Sequence, residues 1–183
     1  MQRMGYTEEH EQFRRTARAF LDRELEPNYR RFVTQGGVDK AFWRRAGEAG
    51  LLGALIPEDL GGPGGDFTFN VILAEELGRS VGSAYTGSTI MADVATAILL
   101  AAGTPEQKAK YAPLILSGEV SQAMPLSEPG AGSDATAIRT SAVRDGDHWL
   151  INGEKYWISN GTNAEVLYVV AKTDPTKRGS GMS

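Results

Sequence analysis

Apolar residues at helical spacing run through the first two-thirds of the chain. From Phe13, further apolar residues follow 4, 7, 8 and 12 positions on, which gives a helix one buried face until Pro27 interrupts it. Thr7 stands before this run as an N-cap, with acidic residues in the first turn. Residues 88–102 are apolar with a single charge, so we predict a centrally buried helix there.

Cap residues and turns mark the limits of the other predicted helices. Asp39 is a predicted N-cap, and a glycine-rich turn at residues 60–66 leads into a helix around residues 69–77. Thr104 followed by Pro105 predicts another helix start, because threonine caps well and proline is favoured at the first helical position.

The pattern changes near residue 118, beyond which strand signals dominate. Runs of alternating, aromatic or β-branched residues lie at 136–143, 149–151, 156–158 and 166–170. A turn is predicted at residues 145–147, and Asn152 followed by Gly153 is typical of a two-residue hairpin. The predicted fold class is therefore α+β multidomain, with an all-α helical domain at residues 1–118 and an antiparallel β domain at residues 119–183.

Composition places the chain among ordinary globular proteins and narrows its chemistry. With 41% hydrophobic and 23% charged residues, it is unlike disordered, collagen-like or coiled-coil chains. The absence of cysteine excludes disulfides, iron–sulfur clusters and thiol nucleophiles, and two histidines are too few for a histidine-rich metal site. We therefore predict no metal site.

Charge and hydropathy exclude two further classes of partner. The net charge is −4, and the paired arginines are separated by acidic and apolar residues, which is typical of a solvated helix face rather than a nucleic-acid surface. No apolar stretch approaches the ~20 residues of a membrane span. The first residues resemble neither a secretory signal nor a transit peptide, so we predict a cytoplasmic location.

The stretch with the most chemistry is the loop at residues 124–134. Gly130 and Gly132 allow backbone amides to approach an anion closely, and the hydroxyls of Ser127 and Ser133 add donors. A plain surface turn is an equal alternative on composition alone. The spacing also fits a G-x-G-x-x-A dinucleotide motif, but the prolines before it and the absence of a following helix argue against that interpretation.

A second stretch, residues 152–161, places Trp157 close to Ser159 between two Asn-Gly turns. An indole next to a hydroxyl donor suits the edge of a planar heteroaromatic ring. Taken alone, however, a core aromatic in a β domain is the simpler interpretation of Trp157.

These two stretches in this order resemble the flavin-binding signatures of the acyl-CoA dehydrogenase family. The loop at residues 127–134 is similar to the first signature and residues 157–161 to the second, with Ser127 and Ser159 where threonine is commoner. Segments of the helical part, at residues 51–62 and 102–119, also look like that family, and the resemblance extends from about residue 8 to the last residue. It implies that the β domain is an incomplete, antiparallel β-barrel-like domain.

The resemblance implies FAD as cofactor and assigns roles to single residues. The residues that would border FAD are Met124, Leu126, Ser127, Gly130, Gly132, Ser133, Trp157, Ile158 and Ser159. The backbone at Leu126 and the Ser127 hydroxyl would face the polar edge of the flavin, while Gly132 and Ser133 would hold the pyrophosphate. Trp157 would pack on the ring, and Ser159 would donate near N5. Ser133 would also contact the acyl-CoA substrate.

The activity implied is α,β-dehydrogenation of a fatty acyl-CoA, with proton abstraction at Cα and hydride transfer from Cβ to flavin N5. An electron-transfer flavoprotein would accept the electrons, and the full-length protein would form a homotetramer. No residue here matches the family's catalytic glutamate, which is expected beyond residue 183, so we expect this chain to be an inactive fragment. Two alternatives stay open, namely a same-fold acyl-CoA oxidase or flavin monooxygenase, and a non-catalytic FAD-binding or interaction module.

Overall fold

The chain folds as two compact units, Met1–Gln122 and Ala123–Ser183. The computed structural model describes residues 5–82 and 94–183. The first part of the apolar helix predicted at residues 88–102 therefore lies outside the described residues, and its second part is helical.

The first unit is helical, as predicted. Its described helices are α1 (Glu8–Glu24), α2 (Tyr29–Gln35), α3 (Lys40–Glu48), α4 (Phe67–Arg79), α5 (Val94–Ala102) and α6 (Pro105–Leu116). Short 3₁₀ turns lie at Glu26–Asn28 and Glu58–Leu60. No helix in the described ranges is long and apolar enough to cross a membrane.

Side-chain caps begin these helices where the sequence predicted them. The Asp39 carboxylate accepts a hydrogen bond from the backbone N–H of Phe42 at 2.8 Å. At α6, the Thr104 hydroxyl accepts from the N–H of Gln107 at 3.2 Å, and the Gln107 side chain accepts from the N–H of Thr104 at 2.8 Å. Thr7 caps α1 in the same reciprocal manner. Each cap satisfies amides that a helix start leaves without partners.

The core of the first unit is built around four aromatic rings. Phe42 lies at the centre, with ring centroids 5.2 Å from Phe20, 5.8 Å from Phe32 and 5.9 Å from Trp43. All four are buried and meet edge to face, the arrangement that aromatic quadrupoles favour. Burial of each such side chain stabilises the fold by roughly 1.5–3 kcal/mol.

A buried carboxylate joins α1 to α4 in the same unit. The Glu76 side chain is 1% exposed and accepts two hydrogen bonds of 2.9 Å from Arg18, one of 3.1 Å from Arg14 and one of 2.7 Å from Arg79. The hydrogen bonds from Arg18, assisted by those from the other two arginines against the opposing effect of burial, lower the pKa of Glu76 to about 2.

The second unit contains an antiparallel hairpin of β2 (Ser141–Asp145) and β3 (His148–Asn152). Asp145 lies opposite His148, so the turn consists of two residues, and Gly146 takes the positive φ of 59° that such turns need at their first position. The turn predicted at residues 145–147 is confirmed. Two shorter strands, β1 (Gln122–Ala123) and β4 (Val166–Leu167), pair with each other.

Three of the strand and turn predictions in this unit are wrong. Asn152 and Gly153 form no hairpin; Gly153 is needed because a Cβ there would lie 2.6 Å from the Cα of Thr140. Residues 156–158 form no strand, because Trp157 adopts a left-handed φ of 57° that interrupts extended backbone. Residues 136–143 are regular only from Ser141, after a 3₁₀ turn at Ala135–Ala137.

The run at residues 166–170 is half-buried or exposed, and only β4 within it is regular strand. Beyond β4, the N–H groups of Tyr168 and Val170 donate to the carbonyls of Ala123 and Pro125 at 2.9 and 3.1 Å. The extended backbone is therefore held by hydrogen bonds to the segment that leads into the candidate loop. A parallel bridge between Ser141 and Lys172 adds a strand contact that the antiparallel prediction did not include.

Candidate functional site

The loop at residues 124–134 turns tightly at its centre. The N–H of Glu128 donates to the carbonyl of Ala131 at 2.9 Å, and the N–H of Ala131 donates back at 3.1 Å. Pro129 and Gly130 form the exposed tip between them, and Ala131 is buried. The loop is therefore a fixed turn with one side open to solvent.

Nothing in the described chain requires glycine at positions 130 and 132. Neither residue has a positive φ, and a Cβ on either would meet no atom within 4 Å. By contrast, a Cβ on Gly118 in the first unit would lie 2.1 Å from the carbonyl oxygen of Trp43. The backbone at Gly130 and Gly132 therefore has open space beside it, which leaves room for a ligand.

A buried ion pair joins this loop to the second candidate stretch. Lys155 Nζ lies 2.8 Å from Glu128 Oε1 and donates to the carbonyl of Leu126 at 3.0 Å. The two charged side chains are only 6% and 10% exposed. One residue further on, the N–H of Tyr156 donates to the carbonyl of Ser127 at 2.9 Å. The structure thus brings together two stretches that lie about 30 residues apart in sequence.

The electrostatics of Glu128 follow from these contacts. Burial alone would raise its pKa, but the ammonium of Lys155 and the backbone N–H groups of Arg139 (2.6 Å) and Thr140 (3.0 Å) stabilise the ionised form more strongly. The pKa of Glu128 is lowered to about 2. The carboxylate is therefore ionised at neutral pH, and both of its oxygens accept hydrogen bonds from residues of this chain.

Trp157 is the most exposed large apolar side chain among the described residues, at 93%. Its left-handed φ of 57° is unusual for a bulky residue. Backbone hydrogen bonds on both sides of Trp157 hold this conformation. Tyr156 is bound to Ser127 on one side, and on the other the N–H of Gly161 donates to the carbonyl of Ile158 at 3.0 Å. The interpretation of Trp157 as a core aromatic is wrong, because its indole is fully presented to solvent.

The predicted site residues divide between half-buried and exposed positions. Met124, Leu126, Ser127 and Ile158 are half-buried, whereas Gly130, Gly132, Ser133, Trp157 and Ser159 are exposed. Within the described chain, the hydroxyls of Ser127, Ser133 and Ser159 form no hydrogen bond to another residue. These donors are free for an external acceptor.

The loop is tied down beyond Ser133 as well. Asp134 Oδ2 lies 2.7 Å from an Arg178 guanidinium nitrogen, and Arg178 Nε donates to the Thr136 hydroxyl at 2.9 Å. The Asp134 carboxylate also accepts from the Thr136 N–H at 3.1 Å. Hydrogen bonds from Thr136 and Arg178 lower the pKa of Asp134.

The contacts between Lys155 and Glu128 were not predicted from the sequence. Each residue lies in one of the two candidate stretches, and a lysine within an apolar and aromatic segment is a signal for a buried partner. Glu128, but not Lys155, borders an open cleft of about 500 Å³ that is also lined by Arg139, Thr140 and Glu154. The buried Thr140 hydroxyl has no hydrogen-bond partner within the described residues.

Comparisons with protein families agree with this arrangement. The model for "Acyl-CoA dehydrogenase, N-terminal domain" matches residues 7–119, and that for "Acyl-CoA dehydrogenase, middle domain" matches residues 123–183. The chain belongs to the acyl-CoA dehydrogenase family, as the sequence signatures implied. Its helical unit and the β unit with small sheets fit the fold of that family.

Individual relatives give the extent of the similarity. Mitochondrial isovaleryl-CoA dehydrogenase of Bos taurus is 38% identical over 175 residues, which are 94% of this chain and 41% of that protein. An acyl-CoA dehydrogenase structure from Geobacillus kaustophilus is 39% identical with a TM-score of 0.89, and covers 97% of this chain and 47% of that one. An acyl-CoA dehydrogenase from Bacillus anthracis, complexed with FAD, is 34% identical with a TM-score of 0.83, over 94% of this chain and 30% of that one. The chain therefore spans about two fifths of the length of the curated relative.

Proposed function

We propose that the second unit binds FAD between the loop at residues 124–134 and the stretch that contains Trp157. The observation on which this rests is Trp157 itself, a strained and fully exposed indole held beside a loop with open backbone amides. The proposed contacts are Met124, Leu126, Ser127, Gly130, Gly132, Ser133, Trp157, Ile158 and Ser159. The FAD of the Bacillus anthracis relative supports the same cofactor here.

Each group of residues would have one task in this site. The backbone at Gly130 and Gly132, together with the Ser133 hydroxyl, suits the pyrophosphate, because a Cβ-free backbone admits an anion to hydrogen-bond distance. The hydroxyls of Ser127 and Ser159 can donate to acceptors on the flavin ring. Trp157 offers its apolar face to that ring and excludes water from it.

We propose further that the whole protein dehydrogenates an acyl-CoA between Cα and Cβ, with Ser133 contacting the substrate and an electron-transfer flavoprotein as acceptor. Bound FAD would supply the two-electron acceptor for this chemistry. Glu128 is unsuited to abstract the α-proton, because a carboxylate with a pKa of about 2 that is paired with Lys155 is a weak base at neutral pH. Cytoplasmic location and homotetramer formation stay predictions.

Calorimetric titration of the chain with FAD tests the cofactor proposal. We expect one FAD per chain, and Trp157→Ala should weaken binding about two- to twelvefold, since an aromatic contact is worth about 0.5–1.5 kcal/mol. Trp149→Ala is the matched control, because Trp149 is also exposed but lies on β3 outside the proposed site. Absence of FAD binding, or equal losses in the two variants, would contradict the proposal.

The activity is tested on the chain extended to the length of its relatives. Addition of a series of acyl-CoA thioesters to the FAD-loaded protein without oxygen should bleach the flavin absorbance for at least one chain length. Full binding of FAD without bleaching by any thioester would contradict the dehydrogenase assignment and favour a flavin monooxygenase or a non-catalytic module.

A further inference from the structure

A lysine outside the proposed cofactor contacts lies where it can fix their geometry. Lys155 Nζ reaches two acceptors on the candidate loop, the carbonyl of Leu126 at 3.0 Å and the carboxylate of Glu128 at 2.8 Å. The next N–H along the chain, that of Tyr156, reaches the carbonyl of Ser127 at 2.9 Å. Three consecutive loop residues are therefore bound by two consecutive residues of the other stretch.

We propose that Lys155, held in place by Glu128, is the positioning residue that sets the orientation of the loop at residues 124–134 against Trp157. This inference rests on the proposed FAD site and adds to it a residue that need not touch the cofactor. Its effect would pass through the Leu126 carbonyl on one side and through Tyr156 to Trp157 on the other.

Glu128 is fixed independently of Lys155, which lets it act as an anchor. One carboxylate oxygen accepts from the N–H of Arg139 at 2.6 Å, and the other accepts from the N–H of Thr140 at 3.0 Å as well as from Lys155. The carboxylate is thereby held by the segment that precedes β2. Lys155, held by this carboxylate, in turn fixes the position of the Leu126 carbonyl through its hydrogen bond of 3.0 Å.

Because the Glu128–Lys155 pair is buried, we infer that it contributes to the geometry of the loop more than to the stability of the fold. A buried ion pair loses hydration on both charges, so an apolar pair of similar volume would pack at least as well. A lysine with its ammonium held between a carboxylate and a carbonyl defines directions and distances that apolar side chains do not. The exposed indole that follows two residues later depends on such a fixed base, because its own side chain has almost no packing.

Substitutions of the pair separate positioning from simple structural support. Lys155→Met and Glu128→Gln each leave one buried group without its partner, so both single variants should lower the melting temperature. The double variant removes both charges and should regain the part of that loss that comes from an unpaired buried charge, although the glutamine amide still turns a donor towards the N–H of Arg139 or Thr140. Because the Leu126 carbonyl still lacks its donor, the double variant should continue to bind FAD at least tenfold more weakly than the unsubstituted chain.

Two further variants and one spectroscopic signal complete the test. Lys177→Met is the matched control, since Lys177 pairs with Asp174 at 3.2 Å on the surface of the same unit, and its FAD affinity should not change. Lys155→Arg keeps the charge and should restore part of the affinity. The circular dichroism of bound flavin should change in the Lys155 and double variants but not in Lys177→Met, because it reports the surroundings of the ring.

The possible failures are distinguishable. If the unsubstituted chain binds no FAD, the proposed function is wrong and this inference is wrong with it. If the unsubstituted chain binds FAD while the double variant shows equal affinity and an equal flavin spectrum, only the positioning role is overturned. Recovery of affinity in parallel with melting temperature in the double variant would likewise reduce the pair to structural support.

Discussion

Two glycines of this chain, Gly118 and Gly132, differ in what their surroundings demand. Gly118 has a φ of 71° and lies against the backbone of Trp43, so both its conformation and its neighbours exclude a side chain. Gly132 has an ordinary φ and open space around its Cα. The first glycine therefore serves the fold, whereas the second has no role that the described residues define.

This contrast predicts opposite outcomes for two alanine substitutions. Gly132→Ala should leave the melting temperature unchanged but weaken FAD binding severalfold, since the added methyl group occupies the side from which we propose that the pyrophosphate approaches. Gly118→Ala should lower the free energy of unfolding by more than about 1 kcal/mol. Thermal denaturation and calorimetric titration measure the two effects. Loss of stability in Gly132→Ala, or its unchanged FAD affinity, would contradict the prediction.

The hydroxyls and glycines of the candidate site are predictable from the sequence, whereas the contacts that hold them in place are not. The hydroxyls and glycines were visible because their chemistry is local. The exposure of Trp157 was not, because an indole in an apolar run favours the core until its positive φ is known. The Glu128–Lys155 pair was missed because it joins positions 27 residues apart, and no local pattern encodes such a contact.

Helices and strands differ in how well the sequence marks their limits. Helix starts are local events: a cap such as Thr104 acts within three residues, and the predicted cap was confirmed. The strand prediction at residues 156–158 is wrong, and that at residues 166–170 is confirmed only over β4, because a strand depends on pairing partners elsewhere in the chain as well as on residue type. The domain boundary predicted at residue 118 stays a prediction.

Removal of the N-cap of α6 should destabilise the helical unit. Thr104→Ala removes the acceptor for the Gln107 N–H and should lower the free energy of unfolding by about 1 kcal/mol. Thr34→Ala is the control, because Thr34 lies exposed within α2 and its hydroxyl only donates back to the carbonyl of Arg30. Urea denaturation followed by helical circular dichroism compares the two. If the two variants lose equal amounts of the free energy of unfolding, the capping hydrogen bond contributes no stability of its own.

Among the described residues, each unit contains one buried carboxylate with a pKa lowered to about 2. Glu76 in the first unit and Glu128 in the second have pKa values of about 2. A carboxyl whose pKa is lower in the folded state stabilises the fold above its unfolded value near 4.5, and this contribution is lost as the pH falls towards 2. Acid should therefore weaken both units.

Glu76→Gln tests this linkage in the first unit. The described α-helices all lie in that unit, so helical circular dichroism reports its unfolding in urea. Between pH 6 and pH 3, the variant should lose roughly 1–3 kcal/mol less than the unsubstituted chain, and it should be less stable at pH 6. Glu75→Gln, at the exposed neighbouring position that pairs with Arg14, should keep the full acid sensitivity. A variant with undiminished acid sensitivity would contradict the role of Glu76.

The three tryptophans differ in the exposed fraction of their side chains, so their fluorescence can report on different parts of the chain. Trp43 is 4% exposed in the helical unit, whereas Trp149 and Trp157 in the second unit are 51% and 93% exposed. A small quencher dissolved in water meets Trp157 at once and Trp43 only after the helical unit opens. Quenching of the tryptophan fluorescence of an unlabelled sample therefore reports both the opening of the helical unit, through Trp43, and the surroundings of Trp157.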